Sequence, residues 1–456
     1  MTEILALLQN IAPLLEKTTF RQMSRIGYGM LVASGRITML GLSRWTEEGG
    51  SYRTIQRFYH SVLPWNAIHW LFFRKRFLKP EDEYLTAGDE VVVSKAGKDT
   101  YGLDHFFSGI QQRVIPSLSF FAFSLVNVRE ERSYPMQVVQ VVKSPEEKAA
   151  SKAKAAARKT AEKKKRGRPQ GSQNKTKKEE VVLNAELVRI QKALKSLLET
   201  IGTSVNLKYV ALDGHFGNYP SAFMVKQANL DLISKMRSDA ALYLPFEGEY
   251  GGVGRPAKYG EKIHIHQLDP KFLKETSTED HLRTNIYQGS FYNKEFAFPL
   301  NVVIILKTNL NTGAQAHVIL FSTDLELTYD KIIRFYSLRF RLKVAVTSQI
   351  EFNFRDAKQY WGLEDFMNVK EIAVTNATNL SFFMVNFSYA LLQPFRSHNP
   401  QYSILDLKSH YRGCRYAFET IKMLPEKPDA ILLADIFQQI ARLGAIHSAF
   451  HPSATP

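Results

Sequence analysis

Residues 348–366 read Ser348-Gln-Ile-Glu-Phe-Asn-Phe-Arg-Asp-Ala-Lys-Gln-Tyr-Trp-Gly-Leu-Glu-Asp-Phe366, and their periodicity decides the fold. Ile350, Phe354, Ala357 and Trp361 recur at steps of four, three and four, which predicts a helix with one buried stripe. Glu351, Arg355 and Lys358 recur at four and three along an adjoining edge. Ser348 stands at capping-box spacing before Glu351, and Gly362 marks the expected stop. Two readings of Glu351 are open. It caps its own helix and pairs with Arg355, as surface residues commonly do, or it is a metal ligand with Arg355 and Lys358 turned toward phosphates. The second reading requires two more carboxylates, placed on strand ends.

Working outward, residues 207–213 form a short apolar run that ends in Asp213 and is followed by Gly214. A buried strand that finishes in a carboxylate presents a ligand at a sheet edge, although Asp213 as a turn residue fits equally well. Residues 84–98 read as strand, turn, strand, with Asp89 just past the apolar start; taken alone, Asp89 reads as a turn residue. Residues 117–128 and 136–142 predict two further strands. Asn184 is the expected cap of a helix whose buried face carries Leu187, Ile190, Leu194, Leu197 and Ile201, ending near Gly202. A helix over 221–228 and a strand over 232–236 follow. Residues 241–310, rich in Gly and Tyr, read as a β-rich insertion in which His264 and His266 face one side of a strand, either as metal ligands or, since no cysteine or third histidine lies at ligand spacing, as surface residues. Strands over 302–306 and 317–321 lead back to the Glu351 helix.

The flanks differ in character. Residues 1–78 carry helical spacing throughout. Within them Ser51 opens a segment that shows Arg53, Gln56 and Arg57 on one face, either a DNA-recognition helix or an ordinary wet face. Residues 396–456 read as a helical C-terminal region. Hydrophobic residues at 45% and charged residues at 23% describe a globular chain rather than a disordered one. The single cysteine, Cys414, excludes an intramolecular disulfide and suits a reducing compartment. The acidic start and the short apolar runs predict neither an export signal nor a membrane span. Of the net charge of +16, +11 lies between Lys143 and Lys178, so a polyanion partner is expected, with nucleic acid ahead of membrane. In that segment Arg166-Gly-Arg168-Pro169 matches the core of an AT-hook, whose arginines enter narrow minor grooves; the alternative is a solvated basic linker.

The element order is β-β-β-α-β(Asp213)-α-β, then a β insertion, then the Glu351 helix. It resembles the RNase H-like core of DDE transposases from bacterial insertion sequences, in the subgroup with a Tyr-x2-Arg-x3-Glu-x6-Lys signature. The resemblance rests on Gly88-Asp89 with Lys95-Ala-Gly-Lys98, on Val210-Ala-Leu-Asp213 with Phe216-Gly-Asn, and on Glu351-x6-Lys358. It implies an α/β fold: a helical N-terminal DNA-binding domain (1–78) and an RNase H-like catalytic core (79–240 and 311–395, with the basic linker 143–180). The β-rich insertion (241–310) would precede the Glu helix. It also implies that Asp89, Asp213 and Glu351 are catalytic and hold two Mg²⁺, with Mn²⁺ as a substitute. Tyr336, Arg339, Arg355, Lys358, Lys95 and Lys98 would contact DNA, alongside Arg53, Arg57, Arg166 and Arg168. The implied partners are double-stranded DNA, as terminal inverted repeats and target, and a second protomer on paired ends, in a bacterial cytoplasm near the nucleoid. The implied reaction is cut-and-paste transposition. A chain that only binds DNA is the alternative, because Glu351 follows Tyr336 and Arg339 with eight extra residues (341–348). On a continuous helix those residues turn the pair by about 80° relative to Glu351.

Overall fold

The computed structural model describes residues 2–46, 50–109, 111–160, 181–249, 257–339, 349–426, 428–440 and 443–447. The expected Ser348 cap, the eight residues 341–348 and the Arg166/Arg168 segment lie outside the described residues.

The N-terminal region is helical, as its periodicity predicts: α1 (Thr2–Leu8), α2 (Lys17–Val32), α3 (Met39–Trp45), α4 (Tyr52–Tyr59) and α5 (Trp65–Arg76). Ser51 caps α4 by accepting the Thr54 amide, and Ile55, Phe58 and Tyr59 turn inward. The strands β1 (Tyr84–Ser94), β2 (Asp104–Ser108), β3 (Arg113–Asn127) and β4 (Arg132–Gln140) follow. Then come α6 (Pro145–Thr160), α7 (Ala185–Ile201), β5 (Tyr209–Ala211), α8 (Tyr219–Lys226), β6 (Asp231–Lys235), β7 (Leu242–Pro245), β8 (Tyr259–Lys262), β9 (Leu273–Glu279), β10 (Leu282–Asn293), β11 (Leu300–Asn309) and β12 (Gln315–Ser322). The chain closes with α9 (Tyr329–Arg339), α10 (Gln349–Gln359), α11 (Glu371–Arg396), α12 (Ile404–Lys422) and α13 (Ala430–Ile440).

The core sheet runs β4-β3-β1-β5-β6. The first three strands are antiparallel and the last two join β1 in parallel, which is the strand pattern of an RNase H-like core. β7 to β11 belong to the stretch read as an insertion, yet they add to the same sheet. β12 pairs antiparallel with β6, and β11 and β10 follow in turn. Sequence periodicity identifies such strands but not their distant partners.

One local expectation changes. Residues 84–94 are a single strand, not strand, turn, strand. Gly88 is there for space rather than for a turn. A Cβ on it would stand 2.8 Å from Leu212 Cδ2 and 2.9 Å from both Phe121 Cζ and Phe123 Cε1. Three large side chains thus close over the backbone beside Asp89.

α7 forms as read. Asn184 accepts the Leu187 amide at 2.8 Å, the expected apolar face is buried, and Gly202 ends the helix at φ +58°. The stripe of α10 is also buried, with Ile350, Ala357 and Trp361 all at 0% exposure. Gly362, at φ +77°, turns the chain away. The apolar helix α11 lies against α10, β4 and α5 and anchors the Glu351 helix to the sheet.

In that interface His69 is fully buried among Trp65 and Phe383. Burial lowers its pKa to about 4, against a weaker opposing pull from the backbone of Pro135 and Asn379. The folded chain keeps the ring neutral, whereas the unfolded chain protonates it below its ordinary value near 6.5. This contribution to stability is therefore present above pH 6.5 and is lost as pH falls toward 4, up to about 3 kcal/mol. In urea titrations His69→Leu should flatten the acid limb by that amount; parallel wild-type and variant curves would contradict the assignment.

Candidate active site

Two of the three carboxylates are placed by strand register. β1 and β5 are parallel, with Ala87 opposite Ala211. Asp89 and Asp213 each lie two residues further on, Asp89 still within β1 and Asp213 just past the end of β5, so they stand at the same level of the sheet. Asp213 comes two residues after the end of β5 and takes up the turn: its Oδ1 accepts the His215 amide at 2.9 Å, and its carbonyl accepts the Ser234 hydroxyl at 2.7 Å. Asp213 is thus both a turn residue and a strand-end carboxylate. Gly217 lets the turn pass under β6, where a Cβ would stand 2.1 Å from the Lys235 carbonyl.

Asp89 is half-buried. Its pKa is pushed up to about 6, first by burial and further by the negative charges of Asp213 and Glu351; Arg339 and the Glu90 amide oppose the rise. Asp213 and Glu351 therefore both lie within electrostatic reach of Asp89. Glu351 is exposed on α10, in its first turn, and Arg355 is exposed on the same edge.

The described residues hold no group of three His, Cys, Asp or Glu side chains close enough to bind an ion. What sits on Asp89 instead is Arg339. Its Nη2 lies 3.0 Å from Asp89 Oδ2, its Nε donates to the Gly88 carbonyl at 3.2 Å, and its side chain is 1% exposed. One helical turn earlier, Tyr336 is also buried. Burial, helped by the charges of Asp213 and Asp89 and opposed by Arg339, raises its pKa to about 12. The donor set itself, three carboxylates without thiolate or imidazole, has the chemistry of a site for hard cations with oxygen ligands.

The other candidates divide into two groups. Lys358 is half-buried; its Nζ donates to the Val92 carbonyl at 2.8 Å and pairs with Glu364 at 3.2 Å, tying α10 to β1. Lys95 is more deeply engaged. Its Nζ donates to the carbonyls of Glu364 and Phe366 and lies 3.6 Å from the Phe366 ring centre, and burial lowers its pKa to about 8. By contrast Lys98, Arg53, Gln56 and Arg57 are exposed. Arg355 pairs with its neighbour Asp356 at 3.0 Å and covers the Phe352 ring. His264 and His266 follow β8 in a loop rather than sharing a strand face; His266 bonds Gln315 at 2.8 Å.

Sequence reasoning missed the wall around Asp213. The His215 ring bonds Glu186, at the start of α7, at 3.2 Å, and that contact raises its pKa. Beyond it a cavity of about 600 Å³ is lined by Asp213, His215, Lys235, Arg237, His317 and Tyr336, among others. The adjacency of Asp213-Gly-His215 was the only signal available; the partners come from distant segments.

A family described as DDE superfamily endonuclease matches residues 10–290, a span that takes in Asp89 and Asp213 and stops short of Glu351. Among solved structures, the chain is similar to piggyBac transposase in a cryo-EM structure of its synaptic complex with hairpin DNA. Identity is 10% and the TM-score 0.38, covering 96% of this chain and 82% of that one. No curated protein matches the sequence.

Proposed function

Because the chain belongs to the DDE superfamily of endonucleases, we infer that it is a DNA transposase, cutting at the ends of a mobile element and joining them to target DNA. The observation that carries this reading is the β1–β5 register, which sets Asp89 beside Asp213 with Glu351 in electrostatic range. Asp89, Asp213 and Glu351 are assigned to hold Mg²⁺, with Mn²⁺ as a substitute. When bound, paired divalent ions stabilise the attacking and leaving oxygens of an in-line phosphoryl displacement.

The chain's own residues do the rest. Glu351 and Arg355 share an exposed helix edge, so DNA can approach the carboxylates along α10. Lys358, already donating at the sheet end, is placed to turn from Glu364 to a phosphate. Lys98, Arg53 and Arg57 offer exposed cations, and Arg166 and Arg168 belong to the most basic segment of the sequence. Water attack at the element end frees a 3′-hydroxyl, and that hydroxyl then attacks a second phosphodiester, so one site serves both steps. Two protomers would pair two ends. The bacterial insertion-sequence subgroup with the Tyr-Arg-Glu-Lys signature, a cytoplasmic setting near the nucleoid, and terminal inverted repeats as substrate belong to the same proposal.

A second reading, a DNA-binding protein without catalysis, draws on the Arg339–Asp89 pair and on the lack of an ion-binding cluster among the described residues. Supercoiled plasmid carrying the inverted repeats that flank the gene, incubated with protein and Mg²⁺, separates the two. Nicked or linear product followed by joined product is expected. Retarded but uncut plasmid would favour the second reading.

No helix among the described residues is long and apolar enough to cross a membrane.

A further inference from the structure

We propose that Arg339 is not a DNA contact but the resident counter-cation and positioning residue of the carboxylate site, holding Asp89 in the middle of β1 until divalent ions take over its charge. The assignment rests on the metal-site reading above.

Three observations carry it. The guanidinium is 1% exposed, so a phosphate reaches it only if the site is rebuilt. It straddles the Gly88 carbonyl and Asp89 Oδ2, so it fixes both the backbone and the carboxylate of one ligand. Leu212, Phe121 and Phe123 pack closely over Gly88, leaving no room for a side chain on the strand that carries the pair. Negative charge from Asp213 and Glu351 acts against Asp89, and one buried cation beside Asp89 lowers that cost while leaving the site net negative. An ion binding Asp89 must share it with Arg339, which sets a threshold for metal uptake. Tyr336, one turn earlier on α9, completes the wall on the same side.

The test reads Mn²⁺ binding by electron paramagnetic resonance, and the salt dependence of DNA-end binding by fluorescence anisotropy. Arg339→Gln should bind Mn²⁺ about tenfold more tightly without DNA, because a positive charge has left the site. Its salt slope for DNA should match wild type. Unchanged Mn²⁺ affinity with a slope smaller by about one would make Arg339 a phosphate contact and overturn the assignment. If Arg339→Gln alone does not fold, the neutral pair Asp89→Asn/Arg339→Gln is compared with Asp89→Asn. Equal salt slopes support the proposal, and a slope smaller by about one in the double variant overturns it. Wild-type protein that takes up no Mn²⁺ would instead sink the parent reading, a result distinct from uptake that Arg339→Gln leaves unchanged.

Discussion

Asp213→Asn is expected to abolish plasmid cleavage, by about a thousandfold or more, while leaving affinity for the element end within a few-fold of wild type. The substitution is nearly isosteric. Asn keeps an oxygen to accept the His215 amide, and the Ser234 bond goes to the main-chain carbonyl, so the turn after β5 is retained. What is lost is a negative charge beside Asp89 and one oxygen ligand for a hard cation. Removing that charge also removes one of the influences that raise the Asp89 pKa. Parallel loss of cleavage and binding, with a lowered melting temperature, would instead make Asp213 a folding residue.

Trp361→Ala is expected to cost about 3–5 kcal/mol of folding stability, the range for emptying a large core site. Trp361 is among the largest fully buried side chains, at 0% exposure. It closes the stripe that begins at Ile350, and its carbonyl accepts the Ser381 hydroxyl of α11 at 2.8 Å. Lys408 Nζ lies 5.0 Å from its ring centre while donating to the carbonyls of Met30 and Tyr360. A cavity here therefore loosens α10, α11 and α12 together, and α10 carries Glu351. Chemical denaturation should show the lowered midpoint, and cleavage should fall with it at temperatures where the variant is still mostly folded. A loss under about 1 kcal/mol would contradict the anchoring role of this residue.

Much of this was legible in the sequence where the signal is local. The α10 stripe, the Asn184 cap with its helix, the Ser51 cap and the short apolar strand just before Asp213 are each fixed by residues within a few positions of one another. Gly88-Asp89 misled because a glycine before an aspartate carries turn chemistry, whereas this glycine serves close packing inside one long strand. The joining of β12 to β6, which carries the core sheet into the insertion, depends on pairing between segments far apart in sequence, which no periodicity encodes. The same holds for Arg339. Its contact with the Gly88 carbonyl spans 251 residues, and only the folded chain shows this arginine paired with Asp89.

The central claim is that Asp89, Asp213 and Glu351 become one divalent-ion site when DNA is bound. The most direct test is the anomalous scattering of Mn²⁺ in crystals of the protein with an element-end duplex. The account predicts ion density within about 2.0–2.3 Å of oxygens from all three side chains, with Arg339 displaced from Asp89 Oδ2. Ion density that omits any one of the three carboxylates, or none at the site while DNA is bound, would contradict it.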